Sequence, residues 1–95
     1  MVVTDEHRRR IVESRNGDHG AFEALIRDHQ RMIHSLCYRM SGSLADAEDL
    51  AQETFIHAYG GLKGYRAEIP FGAWLRAIAI NLCYDELRRR RRNSS

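Results

Sequence analysis

From Phe22 to Met40 the apolar residues recur at helical intervals. Phe22, Leu25, Ile26, Met32, Ile33, Leu36, Cys37 and Met40 follow i, i+3, i+4, i+7 spacings, a pattern that lines one face of a 3.6-residue repeat. A strand, whose side chains alternate with a period of two, cannot bury that set on one side. The chain has a single proline, Pro70, and no strand-like alternation. The expected class is therefore all-α, a compact bundle of about four helices, with a short N-terminal helix followed by three longer ones. Ninety-five residues with 43% hydrophobic content are enough for one domain around one core, and not for a pocket enzyme with a separate substrate domain.

Local signals set the boundaries. Thr4 or Asp5 caps a first helix anchored by Ile11 and Val12, and Asn16-Gly17 supplies a left-handed stop. Asp18 caps the long second helix, which Ser41-Gly42 breaks. Ser43-Leu44-Ala45-Asp46 resembles a capping box, in which the serine hydroxyl and the Asp46 carboxylate each take a free amide donor.

The third helix carries four carboxylates within eight residues, Asp46, Glu48, Asp49 and Glu53, with no cation among them. Its expected buried side is Leu44, Ala47, Leu50, Ala51, Phe55, Ala58 and Tyr59, with Asp46, Asp49, Gln52 and Glu53 opposite. Ile56 falls in the middle of that polar side, as the dry centre of a contact patch would. The helix is expected to stop at Gly60-Gly61. A loop to Ile69 follows, and Pro70 opens a last helix, where its missing amide costs little. That helix reads as apolar nearly all round (Trp74, Leu75, Ile78, Ile80, Leu82, Cys83) and so is expected to run through the core. One polar stripe interrupts it, Ala77, Asn81, Tyr84 and Arg88, suited to hydrogen bonding, stacking and phosphate contact. Five arginines, Arg88 to Arg92, close it; Arg91 to Ser95 read as a frayed tail or the first residues of a linker, with residues 93–95 placed beyond the domain.

The net charge of +2 conceals an asymmetry. Residues 1–87 hold ten Lys and Arg against thirteen Asp and Glu, and the arginine run supplies the rest. Nucleic-acid contact must then be local, while the acidic face suits a basic protein. Cys37 and Cys83 are too few for a disulfide framework and are expected to be reduced, packed thiols. No secretory signal is visible, and no apolar run approaches the ~20 residues that span a bilayer, so a cytoplasmic protein without a membrane partner is expected.

Other readings of these residues stay open. The acidic stripe also fits a solvated helix face. Asp49, Glu53 and His57 drift around the helix and lack a second Glu/His set, so no metal and no cofactor is expected. His34 and Cys37 lack two further zinc ligands. His29 lies on an apolar stripe, as a core histidine would. Trp74 packs the loop-to-helix corner or borders a base pocket. The arginines suit either the helix C-terminal dipole or phosphates. No nucleophile–base pair or phosphate-binding glycine loop occurs, so no enzyme is expected. A small helical adaptor, binding protein alone through the acidic face, is the rival reading.

The sequence from Asp46 to Phe55, together with Phe71, Trp74-Leu75, Ile78-Ala79, Asn81, Asp85 and Leu87-Arg88-Arg89, resembles the region 2 domain of a bacterial extracytoplasmic-function sigma factor. Gly17-Asp18, Ala21-Phe22 and Leu25 resemble that family's first stretch. His29 stands where a tyrosine is common, and Ala73 where threonine often precedes the tryptophan. The resemblance implies a region 2 domain over residues 1–92, with a core of about 10–90 and the helix-turn-helix region 4 domain absent. It implies docking of Asp49, Gln52 and Glu53, around Ile56, on the β′ clamp helices of RNA polymerase. It further implies melting and capture of the non-template strand of the promoter −10 element by the loop Tyr65, Arg66, Ala67, Glu68 and Ile69 and by Asn81, with Tyr65 and Arg66 offering an aromatic and a guanidinium wall to a flipped base. Lys63, Trp74, Tyr84 and Arg88 are the accompanying candidates for DNA contact. An anti-sigma factor is the expected regulatory partner.

Overall fold

The computed structural model describes residues 5–66 and 68–93, with side chains from Arg8 onward. Four helices follow in order: α1 (Asp5–Arg15), α2 (His19–Ser41), α3 (Leu44–Gly61) and α4 (Phe71–Asn93). A single 3-10 turn, Leu62–Gly64, continues directly from α3. The second helix is central and packs on each of the others, α3 packs on α4, and α1 also touches the 3-10 turn. The all-α bundle expected from the periodicity is the one observed.

Caps set the helix ends. Gly17 (φ 94°) and Gly42 (φ 74°) both take the left-handed conformation, which L side chains adopt only at a cost. The Asp18 carboxylate accepts from the Ala21 amide at 3.1 Å, and Gly42 donates its amide to Tyr38 O at 2.8 Å. Ser43 Oγ accepts from the Asp46 amide at 3.2 Å. The reciprocal half of the expected box does not form. The Ser43 amide donates to Ser41 Oγ instead, and the Asp46 carboxylate pairs with Arg90 on α4. The Thr4 cap and the Asp5 side chain lie outside the described residues.

The core is built from Leu25, Ile33, Cys37, Thr54, Leu75 and Cys83, each less than 2% exposed. Around these pack Phe22, Leu50, Ala51, Leu62, Tyr65 and Phe71. Thr54 was not anticipated. It lies four residues from both Leu50 and Ala58 on the buried face, and its hydroxyl donates to Leu50 O at 2.7 Å, which removes the desolvation cost of an unpaired group. Three expected core positions are exposed: Val12 (53%), Leu44 (67%) and Tyr59 (43%). Val12 and Leu44 face solvent, whereas Tyr59 keeps one side of its ring against Phe22 (5.0 Å between centroids) and His19, with its hydroxyl hydrogen-bonded to His19 Nδ1 at 3.1 Å. The last helix does not run through the middle of the core. It buries one narrow line, Phe71, Leu75, Ala79 and Cys83, because α2 and α3 cover it from one side only. Nor is its end frayed: the helix continues through Arg91 and Arg92 to Asn93. Pro70 precedes the helix and accepts from the Trp74 amide at 3.0 Å.

Cys37 and Cys83 are free, buried thiols that lie close enough across the α2–α4 contact to influence each other's ionisation. Burial is the main cause pushing the Cys37 thiol from its ordinary 9.0 up to about 12, with Cys83 adding to it. Both stay neutral in the fold at physiological pH. Between about pH 9 and pH 12 the unfolded chain releases a proton that the folded chain retains, so stability falls as pH rises through that window. In urea denaturation from pH 8 to pH 10.5, the wild type is expected to lose stability more steeply than Cys37→Ala. Parallel pH profiles would refute the assignment.

Candidate functional site

Where the buried line of α4 runs out, charged residues continue it. Glu86 and Arg90 follow Cys83 along the same side of the helix and face the first turns of α3. Between the two helices lies an open groove of about 360 Å³, lined on α3 by Asp46, Asp49, Leu50, Gln52, Glu53 and Ile56. The structure thus brings together all four residues expected on the acidic face. Asp49, Gln52 and Glu53 are exposed, and Ile56 is 69% exposed, an apolar side chain among carboxylates.

Sequence spacing did not foresee the α4 side of this groove. Arg90 pairs with Asp46 across 44 residues of chain, and its Nε donates to Glu86 at 3.2 Å. Glu86 also receives both Nε (3.0 Å) and Nη2 (2.6 Å) of Arg89. The Arg89 hydrogen bond is the main cause holding the Glu86 carboxyl below the usual range. The groove therefore already holds a guanidinium from its own chain, in the geometry that carboxylates offer an arginine.

The loop leaves the opposite end of α3. Leu62 and Tyr65 are buried. The Tyr65 ring lies tilted against Trp74 (4.9 Å between centroids) and edge-on to Phe71 (5.5 Å). Its hydroxyl donates to Ile69 O, and Ile69 N donates to Arg66 O at 3.0 Å. Burial pushes the phenol up, so it remains a donor. The base-stacking wall expected of Tyr65 is therefore not presented. Two aromatics on the following turns of α4 draw the ring inward, where it closes the loop. Trp74 is half-buried in this cluster. Arg66 and Glu68 are exposed and form an ion pair at 3.6 Å; Ile69 and Lys63 are also exposed. Ala67 lies outside the described residues.

Ala77, Asn81, Tyr84 and Arg88 are all exposed. At 100° per residue they occupy a wedge of about 60° on the side of α4 away from the buried line. Ten residues separate Phe71 from Asn81, so the two are about 15 Å apart along the axis. Asn81 is not beside the loop, and the two must meet different parts of any extended ligand. Arg88 pairs with Asp85.

The acidic groove lies on the side of α4 that faces α3, and the Asn–Tyr–Arg stripe lies away from it. Residues 25–93 match the family sigma-70 region 2. The chain belongs to this family.

Among curated relatives of this region 2 domain, SigW of Bacillus subtilis, an ECF RNA polymerase sigma factor, is 38% identical over 84 residues. That alignment takes in 88% of this chain and 45% of the relative. The ECF sigma factor SigG of Mycobacterium tuberculosis is 38% identical over 91 residues, covering 96% of this chain and 24% of the relative. The chain spans less than half the length of these relatives. An engineered region 2 of sigmaE, solved by NMR in complex with GTAAAA, superposes with a TM-score of 0.85 at 32% identity. That match covers 97% of this chain and 94% of the other. CnrH in complex with the cytosolic domain of CnrY gives a TM-score of 0.78 at 27% identity, over 85% of this chain and 53% of that one. Among the described residues no helix is long and apolar enough to cross a membrane, and no cluster of three or more His, Cys, Asp or Glu is placed to hold a metal ion.

Proposed function

We propose that this chain acts in transcription initiation, docking on the β′ clamp helices of RNA polymerase through α3 and capturing the non-template strand of the −10 element. The observation that carries the reading is the separation of charge types around α3 and α4. An acidic groove with a central isoleucine lies between the helices, and a hydrogen-bonding stripe ending in arginine faces away. A partner helix bearing arginines suits the first, with Asp49, Gln52, Glu53 and Ile56 as the contacts. A single strand running from the loop (Lys63, Arg66 to Ile69, with Trp74 at its base) along Asn81, Tyr84 and Arg88 suits the second. Tyr65 acts by shaping that loop. The sigmaE neighbour's complex with GTAAAA favours this reading over a protein-only adaptor. The CnrH complex favours a protein partner that covers region 2, as an anti-sigma factor would. The reading makes residues 1–92 a non-enzymatic, cofactor-free domain acting in the cytoplasm.

The test is open-complex formation with polymerase core by a full-length factor carrying single substitutions. Asn81→Ala is expected to reduce discrimination between the correct and a scrambled −10 strand by about 1–3 kcal/mol, the range of direct base readout. Arg88→Ala is expected to weaken both strands alike and to flatten the salt dependence. Equal weakening on both sequences by Asn81→Ala would make that side chain structural and leave recognition to the loop.

A further inference from the structure

A second hollow, about 560 Å³ in volume, lies where the end of α1, the end of α3 and the 3-10 turn converge. Ser14, Arg15 and Asn16 form one side, Tyr59 another, and Lys63 the rim. No carboxylate lines it. The acids closest in sequence are engaged elsewhere: Glu13 with Arg9 at 3.5 Å, Asp18 with the Ala21 amide, and Glu68 with Arg66.

Two features of this hollow lack an internal explanation. Ser14 is 4% exposed, yet its hydroxyl has no hydrogen-bond partner among the described residues. A serine inside a helix ordinarily returns its proton to the carbonyl four residues back, and a buried hydroxyl left unpaired is costly. Arg15 is held in place by its Nε, which donates to Leu62 O at 3.3 Å, and by its guanidinium, 5.5 Å from the centroid of the Tyr65 ring. Its terminal amino groups have no acceptor among the described residues. A fixed guanidinium with free terminal N–H groups and an ammonium around one hollow are the donor set of an oxyanion site, and the planar fork of arginine suits phosphate; the unpaired Ser14 hydroxyl lies buried in its wall.

We propose that this hollow seats a backbone phosphate of the single DNA strand that the neighbouring loop captures. The inference rests on the reading above and extends it to residues outside the acidic helix, the loop and α4. Its geometry supplies a reason for the location. Leu62 and Tyr65, which hold Arg15, are also the buried anchors of the loop. A phosphate gripped by Arg15 and Lys63 therefore sits in a fixed relation to the base held by residues 66–69. A contact of this kind carries no sequence information but sets the register in which bases are read.

The experiment is an NMR and fluorescence-anisotropy titration of the 95-residue chain with a −10 non-template oligonucleotide. Parallel arms use oligonucleotides with one neutral methylphosphonate at successive linkages, and inorganic phosphate alone. The amides of Ser14 to Gly17 are expected to shift with the oligonucleotide, and one methylphosphonate position to weaken binding by about tenfold, the effect of one charge-assisted hydrogen bond. Arg15→Gln and the exposed Lys63→Gln should each reproduce that loss, abolish sensitivity to that linkage and lower the salt slope by about one. Discrimination against a scrambled strand should remain. Lys63 is exposed, so Lys63→Gln is the variant whose folding is not at risk. Linkage sensitivity unchanged in both variants would overturn this inference while leaving strand capture intact. Shifts produced by inorganic phosphate but not by the oligonucleotide would overturn it in favour of a free oxyanion. No oligonucleotide binding by the wild type under any salt condition would overturn strand capture itself and this inference with it.

Discussion

Glu53→Arg is expected to abolish capture of the chain by immobilised β′ clamp helices while leaving its melting temperature close to that of the wild type. Glu53 is exposed on α3 and has no ion pair or hydrogen bond from its side chain among the described residues, so the fold loses nothing when it is replaced. Surface changes of that kind usually stay within about 0.5 kcal/mol. The groove loses far more. Reversal sets a guanidinium beside Ile56 and near Arg90, where the proposed partner would bring its own cations. Losing a paired charge at an interface costs about 2–5 kcal/mol, which is well over tenfold in affinity. Undiminished capture by the variant, read in the same pull-down as the wild type, would end the docking proposal.

Leu75→Ala is expected to do the opposite and act on the fold. Leu75 is 0% exposed on the line that joins α4 to the rest of the bundle. Leucine-to-alanine changes at such sites cost about 2–5 kcal/mol through lost burial and the cavity left behind. A domain of this size shifts by about 4–8 °C per kcal/mol, so the midpoint should fall by about 8–40 °C. That is a large share of the ~5–15 kcal/mol that typically holds a small domain together. A fall of only a degree or two in a circular-dichroism melt would contradict the packing described for α4. Ile56→Ala is the matched control, since the same class of side chain is removed from a position that is 69% exposed.

Those two isoleucine and leucine positions also mark what a reader of the chain could and could not extract. Ile56 stood out because carboxylates surround it at helical spacing, and the structure exposes it. The caps at Asp18, Gly17, Gly42 and Ser43 were legible because each depends on residues within a few positions of itself. The errors share a different cause. Val12, Leu44 and Tyr59 fit their helical periods, but a period does not say which positions a neighbouring element covers completely. The apolar circumference of α4 reads as deep burial, although only every fourth residue is fully buried and Trp74, Ile78 and Leu82 are covered in part. Tyr65 read as a stacking surface until the packing of Phe71 and Trp74 drew it inside. Asp46 was given a local amide and instead meets Arg90, a partner 44 residues away. Ser14 and Arg15 carried no signal at all, because their hollow is assembled from three separate elements.

The ion pairs at the end of α4 change how its basic run should be weighed. Arg88, Arg89 and Arg90 each have a carboxylate partner, in Asp85, Glu86 and Asp46 respectively. A tally of letters finds five cations in a row, yet a phosphate approaching that corner meets an excess of no more than two. Long-range attraction of nucleic acid to this helix end is correspondingly muted. Under the proposed function, a nucleic acid without the right bases would gain little there, and indiscriminate adhesion to DNA would be reduced. A strand that is held must be held by fit.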